Sequence, residues 1–452
     1  MLWKSSLRLF ETIRQRGGST SVLKTAFTFV LLLTAFGCWG QVGIPKTPAG
    51  NALQAWLDAI NSGEVAKVSA YVKSTDSTQT VDWLMSLSQH SGGFELLSAQ
   101  SKGPWLISFH VRERNTTTEA AGSIKVRKSQ TLTVTSFTIR PLPPGAVIDD
   151  IALDAAERTR VIDGAIAALK EYYLYPDVAG KMADALLQDK RSGNDNVETD
   201  GGAFAFSLTK LLRVISHDKH LEVIYNPFKL HQGPPEVVDN RVRHSQDRPD
   251  NCGITSTRIL AGNVGYLKVD AFPEITQCQS RIEAVMHTIN QTDSLIFDLR
   301  QNHGGDPRTV ALIASYLFDH PTHLNDMYNP RTGTTEASWT QSPIPGNNLA
   351  SKPVFVLTSA MTFSGGEEFC YDLKMLQRAT IVGERTGGGA HPIRLHQIDD
   401  HFTIAVPFAK PVNPISKTDW EGSGVVPEVS VKATEALETA IKLAADKPKH
   451  RK

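Results

Sequence analysis

The chain has 452 residues, too many for one ordinary domain and enough for two or three packed cores. Its 47 lysines and arginines balance its 47 aspartates and glutamates, which excludes the overall basic field that collects nucleic acid or anionic membrane. A hydrophobic content of 40% excludes a chain that is disordered throughout.

At the start, Lys4, Arg8, Arg14, Arg16 and Lys24 precede an apolar run from Thr25 to Gly37. That run is shorter than the roughly 20 apolar residues a spanning helix needs. The pattern predicts a signal peptide over residues 1–40, cut after Gly37 or Gly40, and so export to a periplasm or the outside of the cell. No membrane-spanning segment is expected after cleavage. Attachment to the membrane would follow only if the signal is retained or Cys38 is lipidated.

Residues 46–140 form the first domain. In ALQAWLDAINSG, Leu53, Trp56, Leu57 and Ile60 share a helical face and Gly63 is a stop signal. The runs PWLISFHVRE, SIKVRK and QTLTVTSFTIR then alternate as half-buried antiparallel strands do. A helix followed by a curved antiparallel sheet resembles the α+β NTF2-like domain, which implies a lid, a docking surface or a substrate-gathering module.

After the stiff PLPPGA boundary, residues 150–235 read as a helical module. Asp154 and Glu157 form a capping box before a helix with Val161, Ile162, Ile166 and Leu169 inward. KMADALLQ and GAFAFSLTKLLRVI supply two more helices, and residues 226–255 read as loop. Residues 250–436 alternate strand and helix: NVGYLKVDAF, ITQCQSRIEAVMHTIN, SLIFDL, RTVALIASYLF, PVFVLT, EEFCYDLKML and ATIVGE. Such alternation predicts an α/β sheet with mostly parallel pairing, to which FTIAVP adds a strand. Residues 437–452 read as a basic tail. Cys252 and Cys278 either pair, as export would permit, or remain two thiols, and Cys370 falls in a core pattern. No cysteine spacing suits a metal, and His391 and His396 lack a nearby carboxylate pattern, so neither metal nor cofactor is expected.

Sites of open α/β sheets form beyond the carboxyl ends of strands. Three glycine-bearing stretches fall there: Asp298 to Gly305, Ser364-Gly365-Gly366 and Gly383 to Gly389. Ser364 is either the cap of its helix or a nucleophile, and a nucleophilic serine needs a base. Lys374 lies ten helical residues, about 15 Å, downstream and cannot serve. The chain has no GxSxG elbow, phosphate-binding loop or dinucleotide fingerprint.

In order, DLRQNHGGDP, TSAMTFSGGEEF, IVGERTGGGAHP and WEGSGVVPEVSV are similar to the S41 family of serine peptidases, above all the branch related to interphotoreceptor retinoid-binding protein. The resemblance covers about residues 150–436 and implies a crotonase/ClpP-like core. The processing-protease branch uses a lysine whose place is taken here by Gly389. The tricorn-like branch implies His220 as base and Glu421 as its orienting acid, with Ser364 as nucleophile. Lys219 stands where that branch has a second serine, and His217 and His391 are rival bases. Gly365 and one of Gly304 or Gly305 would stabilise the oxyanion. No PDZ-like segment fits between His220 and Gly262. The expectation is an exported serine endopeptidase acting on peptides or proteins, with the number of subunits left open. The alternatives are a weakly catalytic binder of hydrophobic ligands and an envelope scaffold.

Overall fold

A computed structural model describes residues 43–75, 79–127, 132–193, 198–230, 251–345, 347 and 349–446. The expected signal peptide lies outside the described residues.

The first domain comprises α1 (Pro48–Ser62), α2 (Val65–Thr75), α3 (Val81–Ser91) and four strands. These are β1 (Phe94–Ser101), β2 (Leu106–Glu113), β3 (Glu119–Arg127) and β4 (Thr133–Pro141), paired in that order as an antiparallel meander. Thr47 opens α1 by accepting the Gly50 N–H (3.0 Å), and Gly63 ends it at φ 65°. The face expected from the sequence is the buried one: Trp56 stacks on Phe94 and packs against Phe109 and Phe137 of the sheet. Helices α2 and α3 and strand β1 were not assigned from the sequence. Their apolar residues are sparse, although Thr80 and Gly92 do cap α3.

The helical module holds α4 (Ala155–Tyr172), α5 (Pro176–Ser192) and α6 (Gly201–Ser216), followed by strand β5 (Glu222–Tyr225). Asp154 caps α4 by accepting the Glu157 N–H at 2.7 Å, as expected. Residues 226–255 were read as loop. Residues 231–250 lie outside the described residues, and Ile254 already begins a strand.

The rest runs β6 (Ile254–Leu260), β7 (Val264–Val269), α7 (Ile275–Thr288), β8 (Ser294–Asp298), α8 (Pro307–Ser315), β9 (His323–Asn329), β10 (Thr334–Trp339) and β11 (Val354–Thr358). It continues with α9 (Gly365–Met375), β12 (Thr380–Gly383), β13 (Ile393–Gln397), β14 (Phe402–Pro407), β15 (Lys410–Val412), β16 (Val429–Ser430) and α10 (Ala436–Asp446). Six strands form the central sheet in the order β16-β12-β11-β8-β7-β6. All its pairs are parallel except the β6–β7 hairpin. Both faces are covered, which explains the unbroken apolar runs of its strands. Leu295 and Phe297 pack with α7, α8 and α9, while Ile296, between them, packs against α10. The expected basic tail is therefore corrected: to Asp446 it is a helix, and Ala436 and Ala440 are buried on the sheet.

FTIAVP also differs from expectation. It is β14, the middle strand of a separate antiparallel sheet ordered β13-β14-β5. Phe402, Ile404 and Val406 enter the core of the helical module. All six residues of β14 are buried, so the sequence held no face preference that would assign it to one sheet. Cys252 and Cys278 are joined by a disulfide that ties the approach to β6 onto α7. Closing a loop of that length contributes about 3.5 kcal/mol in the chain-entropy account. No described helix is long and apolar enough to cross a membrane.

Candidate active site

Strands β8, β11 and β12 end side by side, and the three glycine turns follow them. The first two turns are bonded together. Thr362 Oγ1 donates to the Leu299 carbonyl (2.8 Å), and the Phe363 N–H donates to the Asn302 carbonyl (2.9 Å). Asp298, at the end of β8, is buried and held by Tyr266 (2.7 Å) and Arg300 (2.6 Å), so its role is structural.

Ser364 is the N-cap of α9 with φ 54° and ψ −122°. L-residues avoid this backbone region, and holding one there costs on the order of 1–3 kcal/mol. Gly304 and Gly305, at φ 97° and 141°, lie against it. A Cβ on Gly304 would stand 2.6 Å from the Ser364 Cβ, and one on Gly305 would stand 1.9 Å from the Phe272 carbonyl oxygen. Only glycine permits that approach. The Gly304 N–H donates to Asn302 Oδ1 (2.8 Å), and the amides of Gly305 and Gly365 are adjacent across the turn.

The third glycine turn works differently. Its amides are spent on Glu367, a fully buried residue in the first turn of α9. Gly388 N–H (2.6 Å), Gly389 N–H (2.8 Å), Ser364 N–H (3.0 Å) and Thr386 Oγ1 (2.5 Å) all donate to the Glu367 carboxylate. Burial pushes this carboxyl up to about 7, and the four donors oppose the rise. Glu367 thus clamps the serine to the third turn. The sequence signal for it was the Ser364-x-x-Glu367 capping pattern.

His220 follows the left-handed C-cap of α6, His217. Its ring lies 4.7 Å from that of Phe363, the neighbour of Ser364. A Cβ on Gly389 would come within 2.2 Å of the Phe363 ring and 2.8 Å of His220 Cε1. The space a residue-389 side chain would need is filled by these rings. Lys219 Nζ donates to the Gly387 carbonyl. His217 is exposed at its helix end, and Lys374 pairs with Glu428 (3.3 Å).

Behind His220 lies a buried charge cluster. Asp218 accepts the His220 N–H through Oδ1 (3.0 Å) and the His391 Nδ1–H through Oδ2 (2.6 Å). Glu421 Oε2 stands 3.7 Å from the same Nδ1 and accepts the Ala390 N–H (2.5 Å). The buried Glu421 Oε1 has no hydrogen-bond partner among the described residues. Burial works against charge on His391, but Asp218, with Glu421 and Asp419, holds it above the usual imidazole range. Burial raises the Glu421 carboxyl. Asp218, His391 and Glu421 are metal-ligand types close together. However, two ligands of one ion, each about 2.1 Å away at tetrahedral angles, stand about 3.4 Å apart. Asp218 and His391 instead contact each other directly, at 2.6 Å, as a hydrogen-bonded pair.

The structure therefore brings Ser364, Gly304, Gly305, Gly365 and His220 around one turn and sets Glu421 beside His391. Sequence reasoning missed Asp218, whose one signal was its place two residues before His220. His396 is apart from His391 and stacks on Tyr172 (3.9 Å).

The chain is an α/β protein that places a strained serine at a strand-to-helix turn, with glycine amides adjacent and a histidine ring against the neighbouring Phe363. Residues 263–431 match the sequence model of peptidase family S41. It is similar to the carboxyl-terminal-processing protease of Synechocystis sp., 29% identical over 168 residues, which are 37% of this chain and 37% of that protein. It is also similar to the chloroplastic carboxyl-terminal-processing peptidase 3 of Arabidopsis thaliana, 29% identical over 36% of this chain and 31% of that one. The match thus spans about a third of the length of these relatives. Among solved structures, a putative peptidase from Parabacteroides merdae aligns with a TM-score of 0.46 at 18% identity, covering 65% of this chain and 99% of that one. The tricorn protease aligns with a TM-score of 0.42 at 14% identity, covering 76% and 45%.

Proposed function

We propose that this protein is an exported serine endopeptidase that cleaves peptide bonds of protein or peptide substrates through an acyl-enzyme on Ser364. The observation that carries this reading is the strained Ser364 packed against Gly304 and Gly305, with His220 in the space that a side chain on residue 389 would need.

Ser364 Oγ attacks the scissile carbonyl carbon while His220 takes its proton. The oxyanion receives the Gly365 and Gly305 amides at the positive end of α9. Collapse breaks the C–N bond, and His220 returns the proton to the leaving amine. Water, deprotonated by His220, then releases the acyl group as a carboxylic acid. Asp218 fixes the His220 loop through the backbone, and Glu421, whose carboxylate stands beside His391, is assigned as the orienting acid on the family resemblance. No residue-389 lysine is needed, so a Ser–Lys dyad is not part of this mechanism. We assign the catalytic region to the crotonase/ClpP-like fold and the first domain to the NTF2-like fold. The disulfide and the signal-peptide pattern support export.

The test is covalent labelling of the full chain by a fluorophosphonate, mapped by mass spectrometry. An adduct on Ser364 that is lost in His220→Ala is expected. A folded protein that is never labelled would overturn the reading in favour of a hydrophobic-ligand binder.

A further inference from the structure

The first domain and the helical module enclose a groove of about 890 Å³ that the reaction above does not use. One wall is a single face of α6, which contributes Gly202, Phe206, Lys210, Val214 and finally His217. Steps of three and four residues keep one helical face on the groove for the whole helix, about 24 Å. Trp83 of α3 and Phe137 of β4 line it as well. Val214 is 64% exposed and Trp83 37% exposed, so its apolar surface is open to a partner.

The groove has a charge and a direction. Lys210, Arg213 and Arg140 line it with one acid, Glu222, which lies 2.5 Å from Arg140 and 4.0 Å from Arg213. Lys210 is exposed, and Arg213 also donates to the Leu221 carbonyl (2.8 Å). The net character is positive. The groove ends at His217, and the next residue, Asp218, binds the backbone of His220.

We propose that this groove docks an extended, apolar stretch of substrate polypeptide that carries acidic residues, and that the stretch lies along α6 toward the loop of the catalytic base. The proposal rests on the peptidase reading and names the substrate class of that site. Its length accommodates about seven residues of extended chain at roughly 3.4 Å each. Apolar side chains meet Trp83, Phe206 and Val214, and acidic ones meet Lys210 and Arg213.

The test uses the full chain carrying Ser364→Ala, so that nothing is cleaved, and fluorescein-labelled twelve-residue peptides read by anisotropy. A peptide of leucine, valine and glutamate is expected to bind at least tenfold tighter than the same peptide with lysine for glutamate. Lys210→Glu with Val214→Asp, two exposed positions, is expected to abolish that preference and weaken the glutamate peptide at least tenfold. Thermal melts report the fold of this variant. A photo-crosslinker at position 214 should capture the peptide. Equal binding of the two peptides, unchanged affinity in the variant, or crosslinking to residues 1–42 or to a second copy of the chain would each overturn the groove assignment. A separate failure of the Ser364-bearing chain to react with fluorophosphonate sinks the peptidase reading and leaves the anisotropy result standing.

Discussion

The His220 ring lies against Phe363, the neighbour of Ser364, yet the serine and histidine sides of that turn are built in opposite ways. The serine side is local. Strand β11, the turn, Ser364 and Glu367 occupy one run of the chain, although three of the four donors to Glu367 come from residues 386–389. The histidine side is assembled from afar: Asp218 and His220 follow α6, His391 precedes β13, and Glu421 lies beyond β15. The locally encoded Ser364 is held by backbone strain. The His220 loop is anchored by Asp218, which also pairs with the buried His391, and that pairing is open to pH.

The largest expected effect separates chemistry from strain on the serine side. Ser364→Ala should lower kcat/KM by about 10⁴-fold or more, with an unchanged melting temperature. Ser364→Gly should be as inactive yet more stable by about 1 kcal/mol, because glycine tolerates a positive φ. A glycine variant less stable than the alanine one would show that the turn is not strained.

Next comes the clamp. Glu367→Gln places an amide NH₂ against a set of four donors, leaving at least one buried donor facing another. The expected cost is about 2–3 kcal/mol by denaturant unfolding, with about a hundredfold slower labelling of Ser364. In the parent, the raised Glu367 pKa makes stability fall as pH rises from the ordinary glutamate value near 4.5 through about 7. The glutamine variant should lose that slope.

The same contrast decided what the sequence could disclose. Ser364, Gly365, Gly304 and Gly305 were legible because strand-to-turn-helix signals are local, and the central sheet because its alternation is strong. His220 and Glu421 were reached through a family resemblance rather than through spacing. Asp218 and His391 escaped as a pair because 173 residues separate them. Strand β14 was legible as a strand but not as to its sheet, since burial on both faces removes the period-two signal. Strands β9 and β10 were missed because their polar residues, HLNDMYN and TTEASW, carry little apolar alternation.

Gly389→Ala tests the meeting of the two sides. A methyl group there would stand 2.2 Å from the Phe363 ring and 2.8 Å from His220 Cε1, so a ring must move. Overpacking of this kind costs about 1–3 kcal/mol, and, on the proposed role of His220, its displacement should lower kcat/KM by up to about a hundredfold. Full activity in the alanine variant would mean that His220 is not set by this contact.

The smallest effect belongs to the remote side. In Asp218→Asn the side-chain oxygen still accepts the His220 N–H, so the loop keeps its anchor, but His391 loses its nearest counter-charge. Activity should fall only about tenfold, comparable to one misaligned hydrogen bond. The diagnostic is stability against pH. His391 has its folded pKa raised by Asp218, with Glu421 and Asp419 contributing and the Tyr175 ring edge-on at 6.0 Å. Its stabilisation is therefore complete below the ordinary histidine value of about 6.5 and is lost as pH rises through the higher folded value. The asparagine variant should be less stable than the parent at pH 6, with the gap closing as pH rises past that point. A constant gap across this range would mean that Asp218 acts through its anchor to His220 alone.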